Sequence, residues 1–114
     1  MECIFCKIVN GEIHSNKIYE NDNFFSILDI NQKVDGHSLV ISKQHFVTLL
    51  DIPEDLSSEL IDCIKKTAEI IIRGKNAEGF NIVNNNSESA GQLVNHFHVH
   101  LFPRKKNDNA NIFS

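Results

Sequence analysis

His96-Phe97-His98-Val99-His100-Leu101-Phe102 alternates imidazole or aromatic rings with hydrocarbon at a period of two. Successive side chains on a β-strand point to opposite faces, so the stretch reads as a strand. His96, His98, His100 and Phe102 share one face, and Phe97, Val99 and Leu101 share the other. The apolar face belongs to a core. Neighbouring imidazoles cannot all be charged cheaply, so most are expected neutral near neutral pH, free to act as acceptor, ligand or nucleophile. Three uses suit such a face: a solvated surface, a three-histidine metal site, or nucleophilic attack on phosphorus with neighbouring rings holding the tautomer.

Immediately upstream, Asn85-Asn86-Ser87-Glu88-Ser89-Ala90-Gly91-Gln92 is a polar loop. Its backbone and side-chain amides can cradle an anionic oxygen without adding a full charge, which suits phosphate better than a bare cation. An asparagine-rich surface turn is the plainer alternative.

Farther out, residues 17–20 and 24–29 flank Asn21-Asp22-Asn23 as a hairpin. Asp35-Gly36 turns the chain into a strand over 37–42. Pro53-Glu54-Asp55 opens a helix. Its apolar stripe is Leu56, Leu60, Ile64, Ala68 and Ile72, joined by Ile61 and Ile71, and Gly74 is the expected stop. A further strand covers 80–85, and Pro103 is expected to end the last one. Hairpin, strand, helix, strand, strand predicts an α+β domain built on an antiparallel meander, not a doubly wound sheet.

The 114 residues suit one domain: 1–104 as the folded unit and 105–114 as a short polar tail. Hydrophobic residues at 41% and charged residues at 23% exclude wholesale disorder. No apolar run exceeds four residues, so no membrane span is expected, and the N-terminus lacks the features of a secretory signal. A net charge of -4 with no long basic block argues against nucleic acid as a partner. These features predict a small cytoplasmic protein.

The 3 cysteines cannot form a disulfide framework. Cys63 falls within the helical stripe and reads as a small buried hydrophobe. Cys3 and Cys6 form a C-x-x-C pair, which taken alone is compatible with redox chemistry, metal binding or no special role.

Two segments together resemble the histidine-triad family of nucleotide hydrolases and transferases. One is Gly91-Gln92-x-Val94-x-His96-x-His98-x-His100. The other, Cys3-Ile4-Phe5-Cys6-Lys7-Ile8-Val9-x-Gly11-Glu12-Ile13, is similar to the family's nucleoside phosphoramidase branch. Leu28-Asp29-Ile30 and Gly36-His37-Ser38-Leu39-Val40-Ile41-Ser42-Lys43-x-His45 continue the likeness in register, which runs to Arg104.

The resemblance implies an antiparallel sheet with one long helix and a short N-terminal helix. It implies that His98 attacks the α-phosphorus of a purine nucleoside 5'-phosphoramidate or related ester, with His100 and His37 as the orienting relay. Asn85, Gly91, Gln92 and Leu93 would meet the phosphate, Asp29 the ribose, and Phe5, Ile8, Ile27 and Leu28 the purine. It also implies a homodimer, and a structural zinc on Cys3, Cys6, His45 and His96. A dinucleoside polyphosphate hydrolase and a nucleotide-binding scaffold with little catalysis remain as alternatives. Two departures bear on specificity: Ser87 stands where this branch usually has glycine, and the chain ends soon after Arg104. His100 in place of the transferase branch's glutamine favours hydrolysis.

Overall fold

The computed structural model describes residues 3–113. A short helix α1 (Ile4–Val9) leads into strands β1 (Lys17–Glu20), β2 (Phe24–Leu28) and β3 (Ser38–Ser42). The long helix α2 (Ser57–Lys75) follows, then β4 (Gly79–Val83) and β5 (His98–Arg104). All pairings are antiparallel, in the order β1-β2-β3-β5-β4. The first three strands form the expected meander. The chain then crosses over through α2, lays β4 at the edge, and returns β5 into the gap between β3 and β4.

The alternation of β5 divides the molecule. Phe97, Val99 and Leu101 join Phe24, Val40 and the buried helix residues Leu60, Cys63, Ile64, Ala68 and Ile71 in one core. Phe25, Ile27, Leu39 and Ile41 face the other way and form a second cluster with Phe5 of α1. On the helix side, Thr67 donates a buried 2.7 Å hydrogen bond to Ser26 Oγ, so the polar members of that layer satisfy one another.

The hairpin forms as expected. Asn21 Oδ1 accepts the backbone amides of Asn23 and Phe24, and its Nδ2 donates to the Glu59 carbonyl of α2. The Asp35-Gly36 turn also holds: Gly36 has φ +96°, and a Cβ there would stand 2.9 Å from side-chain carbons of Lys75 and Pro103. Only glycine fits both constraints.

Several boundaries differ from the sequence reading. A 3-10 turn, Glu54–Leu56, precedes α2, which begins at Ser57. The helix runs through Gly74 and stops at Asn76, whose φ of 53° lets its amide bond the carbonyls of Ile72 and Arg73. Ile61 is 53% exposed and lies outside the core, whereas Cys63 and Thr67 are in it. Pro103 does not end β5. The pairing with β3 reaches only Leu101, so Pro103 has a strand on one side alone, where a missing N–H is tolerated. At its other end β5 begins at His98, leaving His96 in the preceding loop, although its ring keeps the face that the alternation gives it. The tail folds over residues 104–110, where the Asp108 carboxylate accepts from the Arg104 guanidinium and from the amides of Lys105 and Ala110. Among the described residues, no helix is long and apolar enough to cross a membrane.

Candidate active site

β5 and β3 bring three histidines together behind α1. His98 is buried, and its Nδ1–H donates to the carbonyl of His96 at 2.7 Å. This bond fixes the tautomer and leaves the Nε2 lone pair unprotonated. His37, at the entrance to β3, is buried too. Its Nδ1 accepts the Lys33 amide at 3.3 Å, which places its proton on Nε2. Nε2–H then donates to His100 Nδ1 at 2.9 Å, so the proton of His100 is on Nε2. Stacking on Phe102 holds His100 nearly parallel, 5.7 Å between ring centroids. His98 and His100 meet edge to face.

All three rings are held neutral. Burial drives His98 and His37 below the usual imidazole range, against the His96 carbonyl bond in the first case and the Asp29 carboxylate in the second. Burial together with His98 and His37 brings His100 to about 4. Asp29 stands beside the relay, with Oδ1 accepting the Asn31 amide and Oδ2 3.4 Å from His37 Nε2.

The loop before β5 is braced from within. Gln92 is buried: its Oε1 accepts the Ser87 amide at 2.7 Å, and its Nε2 donates to the carbonyls of Val47 and Val94. Both ends of that side chain are therefore held by backbone groups. Asn85 lies next to Gly91, within 3.7 Å of where a Cβ would stand, and it makes no side-chain hydrogen bond to the described residues. Sequence reasoning missed its two neighbours. Asn84 Nδ2 donates to the His98 carbonyl, and Asn86 ties Asn84 Oδ1 to the amide of Leu49. The run of three asparagines was the available signal. Ser87 has φ 83° and ψ 160°, a backbone region glycine favours. The loop thus keeps a glycine-like geometry at a strain of about 1–3 kcal/mol.

Of the residues named for a purine, Phe5 and Ile27 are buried in the second cluster and Ile8 packs on it. Leu28 is 46% exposed and shares strand parity with Phe24 and Ser26, which face α2, so it is not brought beside the others.

Cys3, Cys6, His45 and His96 form a second group, with one ligand atom from each residue within 4.8 Å of all the others. His96 Nδ1 is 3.2 Å from Cys3 Sγ, 3.6 Å from Cys6 Sγ and 3.1 Å from His45 Nδ1. Cys6 Sγ is 3.2 Å from His45 Nδ1. A tetrahedral zinc with ordinary bonds to sulfur and nitrogen has edges of about 3.3–3.8 Å, and these contacts of 3.1–3.6 Å lie within a few tenths of an ångström of them, so the donor set suits such an ion. His96 Nε2–H donates to the Ser42 carbonyl at 2.7 Å, which turns its Nδ1 lone pair toward the thiols, as a metal ligand requires. Burial and the neighbouring Cys3 push the Cys6 thiol up, so a cation is what would favour the thiolate here.

The chain matches the HIT domain over residues 10–107. An uncharacterized HIT-like protein of Methanocaldococcus jannaschii is 44% identical over 93% of this chain and 81% of its own length. Adenosine 5'-monophosphoramidase HNT1 of Candida albicans is 40% identical, over 90% of this chain and 70% of its own. The crystal structure of a Zn-bound histidine triad family protein from Mycobacterium smegmatis aligns with a TM-score of 0.89 at 38% identity, covering 98% of this chain and 81% of that one. With the alternating histidines placed as described, the chain belongs to the histidine-triad (HIT) family.

The depressed histidines set a pH dependence of stability. The unfolded chain takes up these protons near an ordinary imidazole value of about 6.5, whereas folded His100 holds out to about 4. Unfolding therefore binds protons across that window, and stability falls as pH drops through it. The melting temperature is expected to decline from about pH 6.5 downward, more steeply than in His100→Gln; equal slopes would contradict the burial of a neutral ring.

Proposed function

We propose that the protein is a nucleotide hydrolase that cleaves the P–N or P–O bond at the α-phosphate of a purine nucleoside 5'-phosphoramidate or related nucleotide. The observation that carries this reading is the His98 Nδ1–H bond to the His96 carbonyl, which presents Nε2 as a neutral nucleophile. The Candida albicans relative, named as an adenosine 5'-monophosphoramidase, supports it. His98 Nε2 attacks phosphorus, the leaving group departs, and water then cleaves the nucleotidyl-imidazole. His37 holds His100 with Nε2–H outward, a donor for charge gathering on the phosphoryl group. Asn85 and the amides around Gly91 and Leu93 supply neutral donors, already fixed in place for the transition state. The Asp29 carboxylate suits a ribose cis-diol, and Phe5, Ile8 and Ile27 give an apolar wall for the base.

His98→Ala should abolish release of AMP from adenosine 5'-phosphoramidate while AMP still binds, because a nucleophile contributes to the transition state and little to the ground state. Retention of more than about a tenth of the rate, a barrier change under ~1.4 kcal/mol, would exclude His98 as nucleophile. Turnover of diadenosine tetraphosphate in preference to the phosphoramidate would favour the polyphosphate hydrolase reading, and AMP binding without turnover of either the scaffold reading.

The Cys3, Cys6, His45 and His96 group is proposed to hold a structural zinc, which when bound would join α1 to the active-site strand through metal–ligand bonds. Purified protein should carry about one zinc per chain. Chelation should lower the melting temperature yet spare the rate in the cold, since Phe5, Ile8 and Val9 still pack α1 on the second core. Activity proportional to zinc content would instead assign the metal to catalysis. Three free thiols also favour a cytoplasmic location.

A homodimer is proposed through β4, an edge strand that exposes Phe80 and Ile82. Such an edge invites pairing with a second copy. Light scattering at micromolar concentration should give twice the chain mass of 13.0 kDa. A monomer at that concentration would reject the assignment.

A further inference from the structure

Phe5 sits between Cys3 and Cys6 in sequence and between two histidines in space. Its ring meets His96 edge-on at 5.6 Å and His98 edge-on at 5.3 Å between centroids. The wall behind the nucleophile is therefore the residue flanked by the two thiols. Both thiols are partly exposed, unlike Cys63. A cavity of about 480 Å³, lined by Cys3, His45, Lys7, Ile13, Leu93 and Val94, opens onto the cluster and admits small solutes.

We propose that Cys3 and Cys6 are a peroxide-sensitive thiol pair whose oxidation displaces Phe5 from His98 and slows catalysis. The proposal extends the metal and hydrolase readings above. In the oxidation step the two thiolates give up two electrons and form the Cys3–Cys6 S–S bond. The O–O bond of hydrogen peroxide accepts the electrons and breaks to two hydroxide ions, and any bound metal loses two of its four ligands. A disulfide needs its sulfurs about 2.05 Å apart. Drawing the sulfurs together to that length replaces the thiol hydrogen bonds of Cys3 Sγ to His96 Nδ1 and of Cys6 Sγ to His45 Nδ1, both now at 3.2 Å, because a disulfide has no S–H to donate. The Cys6 amide also donates to Cys3 Sγ, so the bond would close across the first turn of α1, the turn that carries Phe5. Chelation alone leaves both thiols free and α1 packed, which separates loss of metal from formation of the disulfide. A dithiol reductant reverses the step by exchange.

The test treats reduced, zinc-loaded protein with hydrogen peroxide. It follows free thiols by alkylation and mass, zinc by a chromogenic chelator, the His98 ring nitrogens by NMR, and AMP release from adenosine 5'-phosphoramidate. The expected result is loss of two of the three free thiols to one intramolecular disulfide, with shifted His98 signals. The turnover number should fall at least about tenfold, a modest loss for a displaced reacting group, and return with dithiothreitol and zinc. Cys6→Ser, which cannot form the bond, should keep its own rate under peroxide. A disulfide that forms with His98 signals and turnover unchanged would overturn the proposal. So would oxidation that stops at sulfinic acid, or a Cys6→Ser protein that loses rate as the wild type does. Should the chain turn over neither nucleotide, the His98 signals still decide the coupling. Should it carry no zinc, the thiol count and His98 signals still decide the switch, so neither failure is mistaken for the other.

Discussion

The structure depends on one constraint: β5 is paired along both edges by β3 and β4 and covered on one face by α2 and on the other by Phe5 of α1, so its alternation cannot slip. A shift of one residue would turn the imidazoles against α2 and take Phe97, Val99 and Leu101 out of the α2-side core, where all three are buried. The free energy of covering those side chains, about 1.5–3 kcal/mol each, fixes the register. The same register fixes where each histidine ring stands. Core packing on one side of the strand therefore positions the chemistry on the other, with no separate energetic cost.

That link explains what could be read from sequence. Period-two alternation is a local property, and it gave the strand, its two faces and the histidine cluster; the four-residue repeat gave α2 in the same way. What could not be read rests on distant partners. Pro103 breaks a strand only if both sides are paired, and the local pattern does not show that β3 stops at Leu101. Gly74 looks like a stop, but the helix end is decided by which residue adopts left-handed backbone to recapture the last carbonyls, and Asn76 does so. Ile61 fits the stripe by spacing yet lies outside the core in the fold, half exposed. The site shows the same limit. Gln92 stands in the motif as an expected phosphate contact, and the motif does not show that its side chain also ties Ser87 to Val47 and Val94. Asn84 and Asn86 carried no motif, although they tie the loop to the His98 carbonyl and to Leu49.

His96 shows how one strand serves two purposes. Its Nε2 is spent on the Ser42 carbonyl and its Nδ1 faces the thiols, so it is unavailable to the relay. Its carbonyl, however, accepts from His98. The residue thus joins the cysteine cluster to His98 through backbone, while Phe5 joins them through packing. The two groups remain chemically separate and mechanically continuous.

The choice of a backbone carbonyl as partner for His98 has a chemical consequence. A carboxylate in that position would stabilise the imidazolium and raise the ring's pKa, so that protonation would compete with attack. A carbonyl orders the ring and selects Nδ1–H without supplying a charge, and burial then keeps the lone pair on Nε2. The nearby carboxylate, Asp29, makes its short contact with His37 instead, where it offsets part of the cost of burying that ring. The two ring tautomers are selected by groups that do not titrate: the His96 carbonyl orders His98, and the Lys33 amide orders His37. These proton positions are therefore set by backbone geometry across the neutral range, which is what the proposed nucleophilic role of His98 requires if the ring is to act without first losing a proton.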